Sequence, residues 1–285
     1  MCLRNLKRYE EADQCLDKAL VINPRLAAVW YHRGRNWINR GFLDKANECY
    51  HRALYLLISL KRKEEALEII GDGLKHFPSD NVLRQFQGWT VRLRGKDLEK
   101  SLRILEDLYN SDKENAGTAG ILAGTYKRLW AANPERHRDM LQKAYEIYFK
   151  AWENSKKANT YEGINAATLS LLLGKPEDSR EIAREIKTIY EMRNLKTMRV
   201  SGNRFSSYWD RVTLAEAELL LGHLGRARRL YKDIVDLYDE KRSYVDSSMD
   251  QIDLILPHLG LSISAIQFMH LSRPFQTRGQ TFLVS

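Results

Sequence analysis

Apolar residues recur at helical spacing on both sides of Gly174, across the segment 161–190. Before this glycine, the apolar residues of 164–173 repeat every three or four positions, a spacing that predicts an amphipathic helix. Gly174 ends the helix because glycine adopts the left-handed backbone without a Cβ clash. Pro176 fits the first turn of a second helix, where its missing N–H is tolerated. The segment is therefore predicted to form one antiparallel helical hairpin.

The same arrangement of a helix, a turn glycine and a small residue five positions later recurs along the chain. It occurs at Gly41 with Ala46, Gly174 with Ser179 and Gly222 with Ala227, and with one extra residue at Gly95 with Ser101. A second small residue lies seven positions before the turn glycine, at Gly34, Gly88, Ala167 and Ala215. Small residues at these points allow two helices to approach closely. The sequence thus predicts an all-α repeat protein.

The hairpin at 27–58 carries this pattern most fully. Counted from Ala27, its characteristic residues are Trp30, Gly34, Trp37, Gly41, Ala46, Tyr50 and Ala53. These residue types at these offsets resemble a tetratricopeptide repeat, a helical hairpin of about 34 residues. The resemblance implies tetratricopeptide-like antiparallel helical hairpins stacked in a right-handed solenoid.

The repeat is irregular near residues 47–66. The segment 9–24 resembles the second helix of a repeat whose first helix is missing, so the first repeat is incomplete. The next segment of this kind contains Ala66, only 20 residues after Ala46, where a full repeat predicts 34. Either residues 47–60 serve two repeats at once, or about half a repeat is absent.

The pattern divides the chain into three parts. Residues 1–110 are predicted to form tetratricopeptide-like hairpins, and residues 111–260 a second helical repeat domain that begins after a polar break. Residues 192–207 lack a clean period and are predicted to form a long loop. The tail at 261–285 is poorly patterned, and we expect it to be a frayed end or the start of a further domain whose removal costs little stability.

The middle of the chain resembles the TRAFs-binding domain of mitogen-activated protein kinase kinase kinases. Three segments carry the resemblance: LAGTYKRLW at 122–130, YEGINAATLSLLLG at 161–174 and YWDRVTLAEAELLLG at 208–222. It is similar to the central region of apoptosis signal-regulating kinases and to bacterial proteins with this domain. The resemblance implies regulatory protein–protein contact by a scaffold or sensor arm, with any effector domain outside this chain.

Composition and charge limit the remaining function classes. The formal net charge is +9, but Lys and Arg mostly alternate with Asp and Glu, which is typical of solvated helix faces. A nucleic-acid-binding repeat protein is therefore the alternative rather than the preferred function. No stretch approaches the 18 apolar residues of a membrane span. We expect a protein or peptide partner and no membrane partner.

No pattern in the sequence predicts catalysis, a cofactor or a metal. The three cysteines and seven histidines are scattered without ligand spacing, and an odd number of cysteines indicates reduced thiols in the cytoplasm. The glycines at 88–95 lack the spacing and the Ser or Thr of a phosphate loop. No carboxylate stands in an apolar stretch beside a partner that would perturb its pKa. We expect a non-enzymatic protein.

The tetratricopeptide resemblance implies where a partner binds. In such a repeat, positions 2, 5, 9 and 12 of the first helix line a groove. These positions are Ala28, Tyr31, Arg35 and Ile38 in one unit, and Val82, Gln85, Trp89 and Arg92 in a later one. Both sets combine an aromatic ring with a guanidinium, the side chains most enriched at binding hot spots. The alternative is that Tyr31 and Trp89 only pack against adjacent hairpins.

Overall fold

Short helices joined by tight turns make up nearly all of the chain that the computed structural model describes. The described residues are 6–95, 97–201, 208–237, 242–270, 275–277 and 280–282. The fold is an all-α helical repeat solenoid, as predicted. The chain divides into two compact units, Met1–Leu129 and Trp130–Ser285. The boundary predicted at residue 110 remains a prediction.

The first unit is built from hairpins of similar length. Its helices, the last of which extends three residues past the unit, are α1 (Tyr9–Ile22), α2 (Ala27–Asn39), α3 (Leu43–Ser59), α4 (Lys63–His76), α5 (Asn81–Arg94), α6 (Leu98–Ser111) and α7 (Ala116–Ala132).

The second unit continues the pattern with helices of more varied length. It contains α8 (Arg138–Asn154), α9 (Thr160–Leu172), α10 (Pro176–Ser201), α11 (Tyr208–Leu220), α12 (Leu224–Leu237), α13 (Arg242–Ile255), a 3-10 turn (Leu256–Leu259), α14 (Ala265–His270), and two short antiparallel strands, β1 (Phe275–Thr277) and β2 (Gln280–Phe282).

The predicted turn glycines adopt the left-handed backbone conformation. Gly41, Gly95, Gly174 and Gly222 all have φ between 70° and 78°. Lys7 and Lys61 have the same left-handed geometry, each with φ of 58°, two residues before α1 and α4. Each of these lysines lies five residues before a buried alanine, Ala12 or Ala66. The repeat therefore continues through two turns that lack glycine.

The small residues allow helices to approach closely, as predicted. A Cβ at Gly34 on α2 would lie 3.0 Å from the ring of Tyr50 and 3.2 Å from the carbonyl oxygen of Ala46, both on α3. A Cβ at Gly88 on α5 would lie 2.8 Å from Leu105 on α6. These contacts leave no room for a larger side chain without movement of the partner helix.

Helix α3 takes part in two successive hairpins. It packs against α2 on one side, against α4 on the other, and also contacts α5. Tyr50, Leu54 and Leu57 of α3 are buried in one core with Ile70 of α4 and Leu83 of α5. This structure supports the alternative in which residues 47–60 serve two repeats.

Two sequence predictions about irregular segments are wrong. The loop predicted at 192–207 is helical as far as Ser201, where α10 ends, and its remaining residues lie outside the described part. The tail is not frayed where the structure describes its side chains, because Ala265 and Phe268 are each 1 % exposed and the Ala265 amide donates to Asp253 Oδ1 at 2.6 Å. The strand pair β1–β2 was not predicted.

Candidate functional site

The six predicted groove residues lie on two helices of the first unit. Tyr31, Arg35 and Ile38 are on α2, and Gln85, Trp89 and Arg92 are on α5. All six are partly buried. Ile38 and Trp89 pack against the core that surrounds Tyr50 and Leu54.

Tyr31 and Arg35 belong to a polar cluster centred on Asp72 of α4. Asp72 Oδ2 accepts hydrogen bonds from Tyr50 Oη at 2.6 Å and from Tyr31 Oη at 3.1 Å, and lies 3.8 Å from Arg35 Nε. Burial by itself raises the pKa of Asp72, but the two tyrosine hydrogen bonds and Arg35 lower it below its ordinary value. The cluster connects α2, α3 and α4, so Tyr31 and Arg35 make contacts within the fold.

The two predicted sets do not lie side by side. Tyr31 and Arg35 contact α4, which places α2 and α4 in one layer of helices. Helix α5 packs against its chain neighbours α4 and α6 and also contacts α3, through the edge-on rings of Tyr55 and Phe86, 6.0 Å apart. It also contacts α7, where Arg92 Nη1 donates to the Ile121 carbonyl at 3.3 Å. Helices α3, α5 and α7 therefore form the other layer.

The α5 residues form a continuous stripe at helical spacing, which we call the α5 stripe: Val82, Gln85, Trp89 and Arg92. Trp89 stacks on Phe86, with ring centroids 6.2 Å apart and planes 10° apart. Tyr55 of α3 borders the stripe and is 69 % exposed, and Val82 is 39 % exposed. Tyr55 and Val82 are thus the exposed side chains of this surface, whereas Gln85, Trp89 and Arg92 are partly buried.

The position of α5 is fixed at its first turn by a single carboxylate. Asp80 Oδ1 accepts a hydrogen bond from the Leu83 amide at 2.6 Å and contacts His51 Nε2 at 3.1 Å. Asp80 Oδ2 accepts a hydrogen bond from Asn47 Nδ2 at 2.7 Å. Burial by itself raises the pKa of Asp80. The hydrogen bonds from Asn47 and the Leu83 amide, together with the nearby His51, outweigh this effect and lower the pKa below its ordinary value. Asp80 therefore caps α5 and also connects it to α3 through Asn47 and His51.

The second unit contains buried carboxylates that the sequence analysis missed. Glu216 accepts hydrogen bonds from Thr168 and, at 2.7 Å, from Gln251. The Glu218 side chain is fully buried and lies 2.5 Å from His223 and 3.1 Å from Arg226. Burial alone raises the pKa of the Glu162 carboxyl to about 7, a shift that the sequence analysis did not consider because it looked for a partner beside each carboxylate.

The described residues contain no cluster of three or more His, Cys, Asp or Glu side chains arranged to hold a metal ion. In the same part of the chain, no helix is long and apolar enough to cross a membrane. Cys49 is buried, and burial raises the pKa of its thiol to about 11. A thiol with so high a pKa is a poor nucleophile at neutral pH.

Two family profiles match the chain, each over more than half of its length. The profile described as Tetratricopeptide Repeats-Sensor matches residues 4–170. The profile described as the MAP3K TRAFs-binding domain matches residues 89–258. A search of curated protein sequences finds no match.

The solved structures that match this chain share little sequence identity with it. The thermophilic TPR protein TTC0263 of Thermus thermophilus is 18 % identical, with a TM-score of 0.52 over 71 % of this chain and 98 % of that one. Human IFIT1, solved as a dimer with m7Gppp-AAAA, is 14 % identical, with a TM-score of 0.47 over 92 % of this chain and 66 % of that one. Because its identity is low, the match to TTC0263, with a TM-score above 0.5, supports the fold alone. The TM-score of the IFIT1 match is below 0.5, so that match supports no assignment.

Proposed function

The chain belongs to the Tetratricopeptide Repeats-Sensor family and contains a MAP3K TRAFs-binding domain, and from this premise we propose that it is a protein–protein interaction scaffold. In this proposal it acts as the regulatory or sensor arm of a signalling protein and has no catalytic role of its own. A tetratricopeptide fold is typical of interaction scaffolds. The partner is a peptide, a helix or a neighbouring effector domain.

The α5 stripe is the observation that carries the proposal. Interface hot spots are enriched in aromatic residues and Arg that lie in well-packed surroundings. Trp89 and Arg92 meet this description, because Trp89 stacks on Phe86 and Arg92 is held by the Ile121 carbonyl. Tyr55, which borders the stripe with 69 % of its surface exposed, adds an accessible aromatic side chain to this surface.

A photo-crosslinking experiment tests this assignment. The crosslinking amino acid p-benzoylphenylalanine replaces Val82 in one variant and Arg103, an exposed residue of α6, in a control variant. Both are produced in the native host and irradiated. We expect a discrete adduct from position 82 and none from position 103. An adduct from position 103 alone would contradict the assignment.

Arginine variants separate binding from folding. We expect Arg92→Ala to weaken capture of the crosslinked partner while the melting temperature changes little. Arg35→Ala tests whether the α2 residues also bind. If Arg35→Ala loses capture of the partner at an unchanged melting temperature, Arg35 takes part in binding. If it lowers the melting temperature and leaves capture intact, Arg35 serves to stabilise the Asp72 cluster.

The ion pairs of the structure support a protein partner over the nucleic-acid alternative. Many cations pair with a carboxylate three or four residues away, as in Arg62 with Glu65 and Arg180 with Glu177. Such pairs leave less net positive charge for a phosphate backbone. An oligonucleotide titration checks this point, since a nucleic-acid reader predicts an affinity that falls steeply with salt.

A further inference from the structure

Trp30 and Trp37, seven residues apart on α2, each lie beneath two cations. The distances to the ring centroids are 5.8 Å for Arg33 and 4.7 Å for Arg52 over Trp30, and 4.8 Å for both Arg40 and Lys45 over Trp37. Each tryptophan thus meets one Arg three residues later in the chain, Arg33 on α2 or Arg40 just after it, and one cation from α3. The arrangement repeats after two helical turns.

The two kinds of cation differ in how their charge is balanced. Arg33 of α2 and Arg40, the residue that follows α2, are paired with carboxylates of α1: Arg33 with Asp17 at 2.8 Å, and Arg40 with Glu10 at 3.1 Å. Lys45 and Arg52 are exposed and have no carboxylate partner among the described residues. Glu48 lies between them on α3 but pairs with neither in this part of the chain. The α3 cations are therefore available to an outside anion.

The indole rings favour one position for each of these two charges. Each lies over an indole ring, and a cation held over Trp is attracted by the electron-rich face of the ring. Seven residues of α-helix separate Lys45 from Arg52 by about 10 Å along the axis of α3. A second helix that lies alongside α3 presents carboxylates at the same distance if they are also seven residues apart.

We propose that the hairpin of α2 and α3 binds an acidic helix of a partner protein, with carboxylates seven residues apart that pair with Lys45 and Arg52. Phe42, 46 % exposed and 5.3 Å from Lys45 Nζ, adds an apolar contact at one end. This surface contains no residue of the α5 stripe, so a test of one surface can fail without affecting the result for the other.

A nucleic acid fits this surface less well. Sequence-tolerant binding of single strands depends on bases that stack on aromatic rings. Here a base that stacked on Trp30 or Trp37 would compete with the two cations that already lie over each ring. Carboxylates that approach the cations from solvent meet no such competition.

The test uses two labelled helical peptides with the same composition. One has glutamates seven residues apart, and the other has them five residues apart, on different helical faces. Binding to the full chain is measured by fluorescence anisotropy at low salt. We expect the first peptide to bind more tightly by up to about fivefold, since only it can form both ion pairs at once and one exposed ion pair contributes about 0.2–1 kcal/mol.

Variants connect the binding to the named residues. We expect Lys45→Gln with Arg52→Gln to abolish the preference, and Glu48→Gln to strengthen binding. The control, Lys75→Gln with Lys100→Gln, removes two exposed charges elsewhere in the unit and should leave the preference intact. Arg92→Ala should also leave it intact, because Arg92 belongs to the α5 stripe.

A charge swap keeps the proposal falsifiable if the neutral variants bind weakly for another reason. Lys45→Glu with Arg52→Glu should bind the corresponding peptide with lysines seven residues apart. Circular dichroism confirms that each variant is folded. The proposal is overturned if the two glutamate peptides bind equally, if the charge-swapped chain shows no preference for the lysine peptide, or if a ten-nucleotide single strand binds more tightly than either peptide.

Discussion

Glu162 makes the stability of the second unit depend on pH. This carboxylate lies in the first turn of α9 and is 6 % exposed, and its Oε2 has no hydrogen-bond partner among the described residues. Burial raises its pKa from 4.5 to about 7. The neighbouring Gly163 lies against the fully buried ring of Trp152, so the backbone has little room to move the carboxylate toward water.

The direction of the effect follows from the raised pKa. Between pH 4.5 and 7 the folded chain binds a proton that the unfolded chain releases, so stability falls as pH rises through this range. A difference of about 2.5 pKa units at about 1.4 kcal/mol each gives about 3 kcal/mol between the two limits. Glu162→Gln carries no charge at either pH. It should therefore be more stable than wild type at pH 8, by up to about 3 kcal/mol, and by less than about 1 kcal/mol at pH 5.

Urea unfolding at pH 5 and pH 8, followed by circular dichroism, measures this difference for wild type and Glu162→Gln. Comparison of the two chains at each pH cancels the contribution of every other titrating group. Glu181→Gln, at an exposed position of α10, is the matched control and should show no pH-dependent difference from wild type. A Glu162→Gln chain as pH-dependent as wild type would refute the assignment of the effect to Glu162.

Three further predictions concern the repeat itself. Lys61→Gly should stabilise the chain by about 1 kcal/mol because a non-glycine residue is strained at its φ of 58°, and Gly174→Ala should destabilise it by a similar amount at φ of 76°. Ala46→Leu should cost roughly 1–3 kcal/mol, since Ala46 is fully buried against α2; a neutral result would argue against the repeat register. Removal of residues 262–285 should lower the melting temperature by several degrees, because Phe268 is buried, and an unchanged value would show that the tail contributes nothing. Thermal and urea unfolding measure all three.

Turn chemistry and close packing made most of the fold predictable. Gly41, Gly174 and Gly222 mark the turns because few other residues adopt their left-handed backbone. The same rule concealed two turns, since Lys7 and Lys61 adopt that conformation without being glycine. The shared role of α3 was therefore left open by the sequence. It became clear only from the contacts of α3 with α2, α4 and α5.

The errors have a common physical origin. Residues 192–201 lack an apolar stripe, so periodicity indicated a loop, yet Glu191, Lys196 and their neighbours are good helix formers that extend α10. Phe268 is an isolated apolar residue whose burial depends on helices distant in sequence. The structure of such segments depends on tertiary contacts, which cannot be read from local sequence patterns.

The candidate site was predictable in composition but not in arrangement. The tetratricopeptide offsets selected Tyr31, Arg35, Trp89 and Arg92, and all four are partly buried surface residues. Their separation into two layers follows from the extra helix between the two repeats, which the sequence could not resolve. The partners of Asp72 come from two different helices, α2 and α3, so no local pattern could have identified that cluster.

Hydrogen exchange of the complex with the crosslinked partner tests the central claim most directly. Amide exchange is measured by mass spectrometry for the free chain and for the complex. The interaction-scaffold account predicts that the partner protects the peptide covering α5, residues 81–94, and leaves α6, residues 98–111, unchanged. Protection of α6 with none in α5 would contradict the assignment of the α5 stripe as the binding surface.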